Sequence, residues 1–344
     1  MSLSRLIERA VSGNRLDPSE LEAGFGEIMD GLASPVKAAA LLVALRMRGE
    51  TRTEIVAAAR AMRARAEGAV SPEPDAIDTC GTGGSPLDTF NISTTSAFVV
   101  AGAGVPVAKH GNRAASSRSG SFDVLEALGV RIDLPIAVCA QILGDVGIAP
   151  LFARTAHPAM RHLAPVRSEL GFRTLMNCLG PLLNPLGVSR QLVGVYSADL
   201  LEPLGEALGE LGAERALVVH GRDGLDEVTL TDVTDAVRLE GGRLTRLVID
   251  PREWGLELAR PEELAGGTPQ ENAQRLKAVL EGVPGPGRDV VVLNAAAAIW
   301  TAGQAEGLED GIARATQSLE SGAARAKLDA LIVATAERAE SLPA

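Results

Sequence analysis

The sequence predicts an α/β protein: a mainly parallel sheet flanked by helices, with a smaller all-helical domain at the N-terminus. Hydrophobic residues make up 46% of the chain but aromatic residues only 3%, an aliphatic composition typical of parallel strands that are buried on both faces. The first 66 residues carry helix signals and no strand pattern. After about residue 75, short aliphatic runs alternate with polar loops and helices, the order expected of a parallel sheet with crossover helices.

Each helix predicted near the N-terminus has a recognisable start. Residues 17–20 combine an N-cap aspartate, a first-turn proline and an acid three residues after the cap. Residues 34–35 (Ser-Pro) start a second helix, and Thr with Glu in 51–54 starts a third. We therefore assign residues 1–68 to a helical N-terminal domain and residues 75–344 to an α/β catalytic domain.

The α/β region contains short runs that predict strands, several of them followed by a helix. The predicted strands are 76–80, 105–109, 216–220 and 290–293. The predicted helices include 93–103, 122–128, 295–302 and one capped by 268–271. Residues 235–249, turning at Gly241-Gly242, predict a hairpin near the sheet edge.

Composition excludes some classes of function. Asp and Glu number 44 against 33 Lys and Arg, a formal net charge of −11, which argues against a large nucleic-acid surface. The three cysteines (Cys80, Cys139 and Cys178) have no metal-ligand spacing and predict reduced thiols. No run approaches the ~18 apolar residues of a membrane span. We expect a cytoplasmic protein without nucleic-acid or membrane partners.

Glycines and hydroxyl residues follow the first predicted strand. Residues 81–84 read Gly-Thr-Gly-Gly, and Asn-Ile-Ser-Thr at 91–94 starts the next helix. Ligands of open α/β sheets lie beyond the carboxyl ends of the strands, and the N–H groups at a helix start attract phosphate. An ordinary glycine turn with a serine cap would explain the segment equally well.

Basic and hydroxyl side chains follow the second predicted strand. Residues 109–121 contain three cations and four serines within thirteen positions. In an acidic protein such a cluster favours a polyphosphate site over a solvated basic loop.

Two weaker signals lie further along the chain. The adjacent carboxylates of Asp226 and Glu227 can hold Mg²⁺ through oxygen ligands, although a surface acid pair is the commoner explanation. Arg167 can form paired hydrogen bonds with a carboxylate, although a lone arginine is usually solvated or salt-bridged.

Taken together, these segments resemble the anthranilate phosphoribosyltransferases of tryptophan biosynthesis, in their order and spacing and over nearly the whole chain. The matching segments are Asp78-Thr-Cys-Gly-Thr-Gly-Gly, Asn91-Ile-Ser-Thr, Lys109-His-Gly-Asn-Arg-Ala-Ala-Ser-Ser, Gly120-Ser-Phe-Asp-Val-Leu-Glu, His157-Pro-Ala-Met-Arg-His, Arg167-Ser-Glu-Leu-Gly-Phe-Arg-Thr, Gly180-Pro-Leu-Leu-Asn-Pro, Gly224-Leu-Asp-Glu and Leu293-Asn-Ala-Ala.

The resemblance implies roles for the matching positions. It implies Lys109, Asn112 and Arg167 as catalytic residues, and Ser93, Asp226 and Glu227 as Mg²⁺ ligands. The implied anthranilate contacts are Gly81, Asn112, His157 and Arg167. The implied phosphoribosyl pyrophosphate site is Gly81, Gly84, Ser85, Thr89, Asn91, Ile92, Ser93, Thr94, Lys109, His110, Gly111, Asn112, Arg113, Ala114, Ala115, Ser116, Ser117 and Ser121.

The resemblance also implies a reaction and an assembly. The phosphoribosyl group would move from phosphoribosyl pyrophosphate to the amine of anthranilate, giving N-(5-phosphoribosyl)anthranilate and pyrophosphate. The helical domain would include part of 160–190 and mediate a homodimer. Three alternatives remain open from sequence: a pyrimidine nucleoside phosphorylase-like enzyme of the same fold, a non-catalytic nucleic-acid-binding relative, and a transferase with another aryl amine acceptor.

One position departs from the family pattern. Ser85-Pro86 stands where the family usually has Asp-Gly. Proline removes an N–H group and fixes φ, so we expect altered flexibility of this loop and altered affinity on the pyrophosphate side. Asp88, two residues after Pro86, is a candidate to replace the missing acid.

Overall fold

The N-terminal region is helical, as predicted, in a computed structural model that describes residues 2–114 and 118–342. The Asp17 side chain accepts the Ser19 backbone N–H at 2.9 Å, and Glu54 Oε2 accepts the Thr51 N–H at 3.0 Å. These contacts satisfy N–H groups that have no partner inside the helix. The helices are α1 (Leu3–Val11), α2 (Pro18–Met29), α3 (Pro35–Arg48) and α4 (Arg52–Arg63).

The rest of the described chain is built on a seven-stranded sheet. Its strands are β1 (Ile77–Gly81), β2 (Val107–Gly111), β3 (Ile148–Phe152), β4 (Arg190–Gly194), β5 (Arg215–Gly221), β6 (Thr234–Glu240) and β7 (Arg243–Ile249). Their order is β3-β2-β1-β4-β5-β6-β7. The first five strands of this order are parallel to one another, and β6 and β7 form an antiparallel hairpin at one edge. The mainly parallel sheet and the edge hairpin were both predicted.

Helices connect and cover these strands. They are α5 (Ile92–Gly102), α6 (Ser121–Ala127), α7 (Ile136–Val146), α8 (Ala153–Ala156), α9 (Ala164–Leu170), α10 (Met176–Leu179), α11 (Leu201–Glu210), α12 (Pro269–Leu280), α13 (Pro286–Thr301), α14 (Leu308–Glu320) and α15 (Ala323–Glu340). None of the helices among the described residues is long and apolar enough to cross a membrane.

The strand predicted at 290–293 is wrong, because these residues lie inside the single helix α13. Val290, Leu293 and Ala297 are each fully buried. A helix surrounded by apolar neighbours has no polar face, so its aliphatic run cannot be distinguished from a buried strand by periodicity. The strands β3, which contains Pro150, and β4 were not predicted.

Two apolar clusters lie on opposite sides of the sheet. Leu217 of β5 packs with α5, α13 and α15, whereas the next residue, Val218, packs with the N-terminal helices, as expected of side chains that alternate along a strand. Leu163 and Leu179 belong to the second cluster. Parts of 160–190 therefore pack with the helical region, although the exact domain division stays a prediction.

Candidate active site

The carboxyl ends of β1 and β4 meet a turn that carries two acids. We call residues 224–228 the acid loop and residues 81–88 the glycine loop. Gly81 and Gly194 are neighbours in the sheet. A Cβ atom on Gly194 would lie 1.7 Å from the Asp226 carbonyl oxygen, and one on Gly81 would lie 2.7 Å from Asp226 Oδ2. The acid loop can approach the sheet this closely because both positions lack a side chain.

Backbone N–H groups hold both acids in place. Gly83 N–H donates to Asp226 Oδ2 at 2.8 Å, and Ser93 N–H, at the start of α5, donates to Glu227 Oε1 at 3.1 Å. Burial raises the pKa of Asp226. Burial, and then the Asp226 charge, raises the pKa of Glu227 to about 8. The two acids thus form a half-buried site with a deficit of positive charge.

This site fits a magnesium ion in its chemistry. Asp226, Glu227 and the Ser93 hydroxyl offer the oxygen ligands that Mg²⁺ prefers, and Mg²⁺ usually takes its remaining ligands from water and substrate phosphates. Among residues 2–114 and 118–342 there is no group of three or more His, Cys, Asp or Glu side chains that could hold a metal. The donor set therefore suits an ion shared with a phosphate-bearing substrate rather than one enclosed by protein.

Lys109 lies beside the acids. It is buried in the middle of β2, two residues before the strand ends. Its Nζ donates to the Thr79 carbonyl at 2.6 Å and lies 3.5 Å from Ser93 Oγ. Burial lowers the pKa of Lys109, while the nearby acids Asp78 and Glu227 raise it. A buried cation at this edge is well placed to meet a phosphate.

The glycine loop is joined to the acid loop through its unusual proline. A Cβ atom on Gly224 would lie 2.9 Å from Pro86 Cγ, so the Pro86 ring covers that glycine. Ser85 Oγ accepts the Leu87 N–H at 3.1 Å. Pro86 thus restricts the loop by direct packing on the acid loop as well as by its own fixed φ.

Asp88 is already engaged by a cation. The Arg118 guanidinium donates to Asp88 Oδ2 at 2.7 Å and also donates to the Gly266 carbonyl. Asp88 therefore serves as a partner for Arg118 in this structure, not as a free replacement for a missing acid at position 85.

Several residues of the predicted phosphoribosyl pyrophosphate site have side chains that are buried or that contact other residues of the protein. Ile92 is 1% exposed and packs in the core, so only its backbone can face a ligand. Asn91 Oδ1 accepts from Asn272 Nδ2 at 2.8 Å. Thr89 bridges to Ala265. The Thr94 hydroxyl is buried and has no partner among the described residues.

The loop after β2 is braced by acids. Arg113 contacts Asp123 at 3.0 Å and Glu126 at 2.7 Å, and these partners raise its pKa. The Asp123 carboxylate also accepts the Ala114 N–H at 2.8 Å. The Arg113 side chain is therefore occupied here. Ala115, Ser116 and Ser117 lie outside the described residues.

Asn112 and Gly111 form the next part of this loop. The Asn112 carbonyl accepts the Ser121 hydroxyl and the Phe122 N–H, both at 3.2 Å. A Cβ atom on Gly111 would lie 2.5 Å from Ser121 Oγ. The fold thus brings the predicted residues Gly111, Asn112 and Ser121 together.

Two neutral histidines lie next to this region. The rings of His110 and His157 meet edge to face, with centroids 5.3 Å apart. Burial lowers the pKa of His110 to about 3 and that of His157 to about 4. His157 Nε2 is 2.9 Å from the Leu183 carbonyl. Both rings are uncharged at neutral pH, which suits contact with a neutral aromatic ring.

Arg167 is a cation whose side chain has no hydrogen-bond or ion-pair partner among residues 2–114 and 118–342. It lies half-buried on α9. Burial lowers its pKa, but a guanidinium stays charged in proteins. It makes no hydrogen bond to the acids or to Lys109, so it is available to a separate anion.

Models of two glycosyl transferase domains match the chain: a helical bundle domain at residues 4–66 and an a/b domain at residues 73–325. Anthranilate phosphoribosyltransferase from Methylobacterium nodulans is 52% identical over 331 residues, covering 96% of this chain and 98% of its own. The chain belongs to the anthranilate phosphoribosyltransferase family.

Solved members of the family have the same fold. The enzyme from Thermus thermophilus superposes with a TM-score of 0.91 at 44% identity, covering 96% of this chain and 99% of its own. The Saccharomyces cerevisiae enzyme in complex with PRPP and Mg gives a TM-score of 0.89 at 28% identity, covering 97% of this chain and 98% of its own. The same yeast enzyme has been solved with 4-fluoroanthranilate.

Several residues that hold the motif segments in place through hydrogen bonds were not predicted as site residues from the sequence. Asp78 Oδ1 accepts the His110 N–H at 3.0 Å, and Asn184 Nδ2 donates to Asp78 Oδ2 at 2.9 Å. Arg173 donates to the Gly84 carbonyl and lies 4.3 Å over the Tyr196 ring. Asp78, Asn184 and Arg173 stand inside the segments that carry the resemblance, and this was the signal available for them. Gly194 stands in none of those segments.

Proposed function

We propose that this chain transfers the phosphoribosyl group of phosphoribosyl pyrophosphate to the amine of anthranilate, in L-tryptophan biosynthesis. The products are N-(5-phosphoribosyl)anthranilate and pyrophosphate. The observation that carries the proposal is the half-buried pair Asp226 and Glu227, held by the N–H groups of Gly83 and Ser93, in a chain whose family is established by sequence. A phosphate-bearing, magnesium-bound donor is the substrate that this pair suits.

The donor is bound at the carboxyl edge of the sheet. Ser93, Asp226 and Glu227 would hold Mg²⁺, which would neutralise charge that develops on the leaving pyrophosphate. Lys109 adds a cation, and the N–H groups of the glycine loop and of α5 add hydrogen-bond donors. The other donor contacts are those predicted from sequence: Gly81, Gly84, Ser85, Thr89, Asn91, Ile92, Thr94, His110, Gly111, Asn112, Arg113, Ala114, Ala115, Ser116, Ser117 and Ser121.

The acceptor is bound by Arg167, with Gly81, Asn112 and His157 beside it. The Arg167 guanidinium pairs with the anthranilate carboxylate, because two parallel N–H groups match two carboxylate oxygens. Burial keeps the rings of His110 and His157 neutral, so neither ring competes with Arg167 for that carboxylate. This arrangement orients the amine and leaves its lone pair free.

The reaction is a displacement at the anomeric carbon. The bond from that carbon to the amine nitrogen forms as the bond to the pyrophosphate oxygen breaks, and the amine then loses one proton. Attack from the face opposite the leaving group gives inversion. The contributions of Lys109 and Arg167 are charge stabilisation and positioning, and no side chain forms a covalent intermediate.

We also propose a homodimer in the cytoplasm. The support for the dimer is that Val36 and Met47 of α3 are 78% and 84% exposed, and that Val11 and Leu32, also in the helical region, are 71% and 76% exposed. Exposed large apolar side chains that recur along the helical N-terminal segment favour an interface there. The cytoplasmic location stays a prediction from the sequence.

The test follows anthranilate fluorescence with phosphoribosyl pyrophosphate, with and without Mg²⁺. The wild type should consume anthranilate only when Mg²⁺ is present. The double variant Asp226→Asn/Glu227→Gln should lose that turnover by at least about a thousandfold, because the metal loses both charged ligands. Thermal unfolding checks that the variant is folded.

Two outcomes would contradict the proposal. A folded double variant with normal turnover would exclude the acids as metal ligands. Phosphorolysis of thymidine or uridine by the wild type, without loss of anthranilate, would assign the chain to the phosphorylase alternative.

A further inference from the structure

The acid loop is fastened to the core by one buried side-chain amide. Asn294 lies on α13 and is 0% exposed. Its Oδ1 accepts the Val228 N–H at 3.0 Å, and its Nδ2 donates to the Val228 carbonyl at 2.7 Å. Val228 directly follows Glu227. The amide therefore holds both backbone groups of the residue next to the acids.

Among the common side chains, an amide of this length is the one that suits these hydrogen bonds. Nδ2 also donates to the Val290 carbonyl at 2.8 Å, one turn earlier in α13. An aspartate would offer no donor to either carbonyl, and an apolar side chain would leave the Val228 N–H and carbonyl buried without partners. Asn294 is fully buried, so a longer glutamine would have to displace the groups packed around it.

The remaining contacts of the acid loop fix its other side. Gly194 and Gly81 set the distance of closest approach to the sheet, and Gly83 N–H and Ser93 N–H fix the two carboxylates. The two N–H hydrogen bonds act on the carboxylates and not on the backbone that follows the acids. The Asn294 amide, attached to α13, adds a restraint on that backbone, through both polar groups of Val228.

We propose that Asn294 is a positioning residue for the magnesium ligands, acting on Glu227 and Asp226 through the backbone of Val228. The inference rests on the proposed function, because it concerns the metal of that same reaction. Groups that orient metal ligands usually change metal affinity or activity by about 10–100-fold when they are removed.

The experiment compares Asn294→Ser and Asn294→Ala with Thr301→Val. Thr301 is a buried residue of the same helix whose hydroxyl donates to the Ala297 carbonyl at 2.7 Å, away from the acid loop. The measurements are Mn²⁺ affinity by electron paramagnetic resonance with inorganic pyrophosphate present, the Mg²⁺ concentration for half-maximal activity, and the KM for anthranilate. Thermal unfolding follows the stability of each variant.

We expect the Asn294 variants to weaken Mn²⁺ binding and raise the half-maximal Mg²⁺ concentration by at least about tenfold. The KM for anthranilate should stay unchanged, and Thr301→Val should change none of the three values. The milder Asn294→Ser variant, which is expected to fold, decides the matter if Asn294→Ala does not.

Two results would overturn the inference and can be told apart. An Asn294→Ser variant with lowered stability but wild-type Mn²⁺ affinity would show a structural role only, and the proposed function would stand. A folded wild type that consumes no anthranilate with Mg²⁺ would overturn the proposed function, and the inference with it.

Discussion

On the donor side of the site, Asp226 and Glu227 each accept a backbone N–H group, whereas on the acceptor side Arg167 has no partner in the described part of the chain. The donor side is built on the end of the parallel sheet. The acceptor side lies on α9, where Val166 and the preceding residue Leu163 pack with the N-terminal helices. One side is fixed by many backbone contacts, and the other depends on a single cation.

The difference follows from what each side has to bind. A polyphosphate with a metal ion needs several hydrogen-bond donors and metal ligands that are in position before it binds. Reorganising them during the reaction would raise the activation barrier. A single carboxylate needs only one guanidinium whose paired N–H groups have no other partner. Substitutions on the donor side should therefore displace the metal ligands. Substitutions on the acceptor side should remove only the pairing of Arg167 with the carboxylate.

Among the single substitutions, the largest effect is expected from Gly194→Ala. The added methyl group would lie 1.7 Å from the Asp226 carbonyl oxygen, so the acid loop must move and the metal ligands move with it. We expect kcat/KM to fall by at least about a hundredfold, since misplacing a catalytic group by about 1 Å costs about that much. The measurement is steady-state kinetics with both substrates and Mg²⁺, together with thermal unfolding.

Gly307→Ala is the matched control for this change. Gly307 precedes α14, its φ of −168° is ordinary extended backbone, and a methyl group there would meet nothing within 4 Å. It should keep wild-type kinetics. A Gly194→Ala variant with wild-type kcat/KM would show that the acid loop is far less constrained than the structure implies.

A smaller and more selective effect is expected from Arg167→Ala. The KM for anthranilate should rise by about 10–100-fold, the value of a charge-assisted hydrogen-bonded pair, while the KM for the donor changes little. Because Arg167 has no internal partner among the described residues, the variant should also unfold at the wild-type temperature.

Arg131→Ala is the control for loss of one positive charge, since Arg131 is exposed and lies 3.8 Å from Asp133. It should change neither KM. Equal increases in both KM values for Arg167→Ala would refute a specific role for Arg167 at the acceptor carboxylate.

The same contrast explains which site residues could be predicted from the sequence. Asp226 and Glu227 are adjacent and lie in a recognisable segment, so a local pattern was enough to identify them. Gly194 is a single glycine at a strand end, and its importance comes from the approach of a loop 32 residues later in the chain. Contacts of that range leave no local pattern.

The fold shows the same limit. The capped helices at Asp17 and Thr51, and the hairpin of β6 and β7, depend on neighbouring residues and were predicted. The helix α13 was partly taken for a strand, because its character comes from burial on all sides by other elements. Local chemistry determines starts and turns, while burial is a property of the whole fold.

The smallest effect is expected from Pro86→Gly, which tests whether the glycine loop belongs to the rigid side of the site. The Pro86 ring lies against Gly224, so its loss frees the loop in two ways: the contact disappears, and the backbone gains freedom. The KM for phosphoribosyl pyrophosphate should rise by about two- to fivefold, the size of an entropic cost of this kind. Pro74→Gly, in the exposed segment before β1, is the matched control and should leave that KM unchanged. A donor KM that Pro86→Gly leaves at the wild-type value would mean that the glycine loop is held by the Gly83 and Arg173 contacts alone, because these two connections would then suffice without the proline.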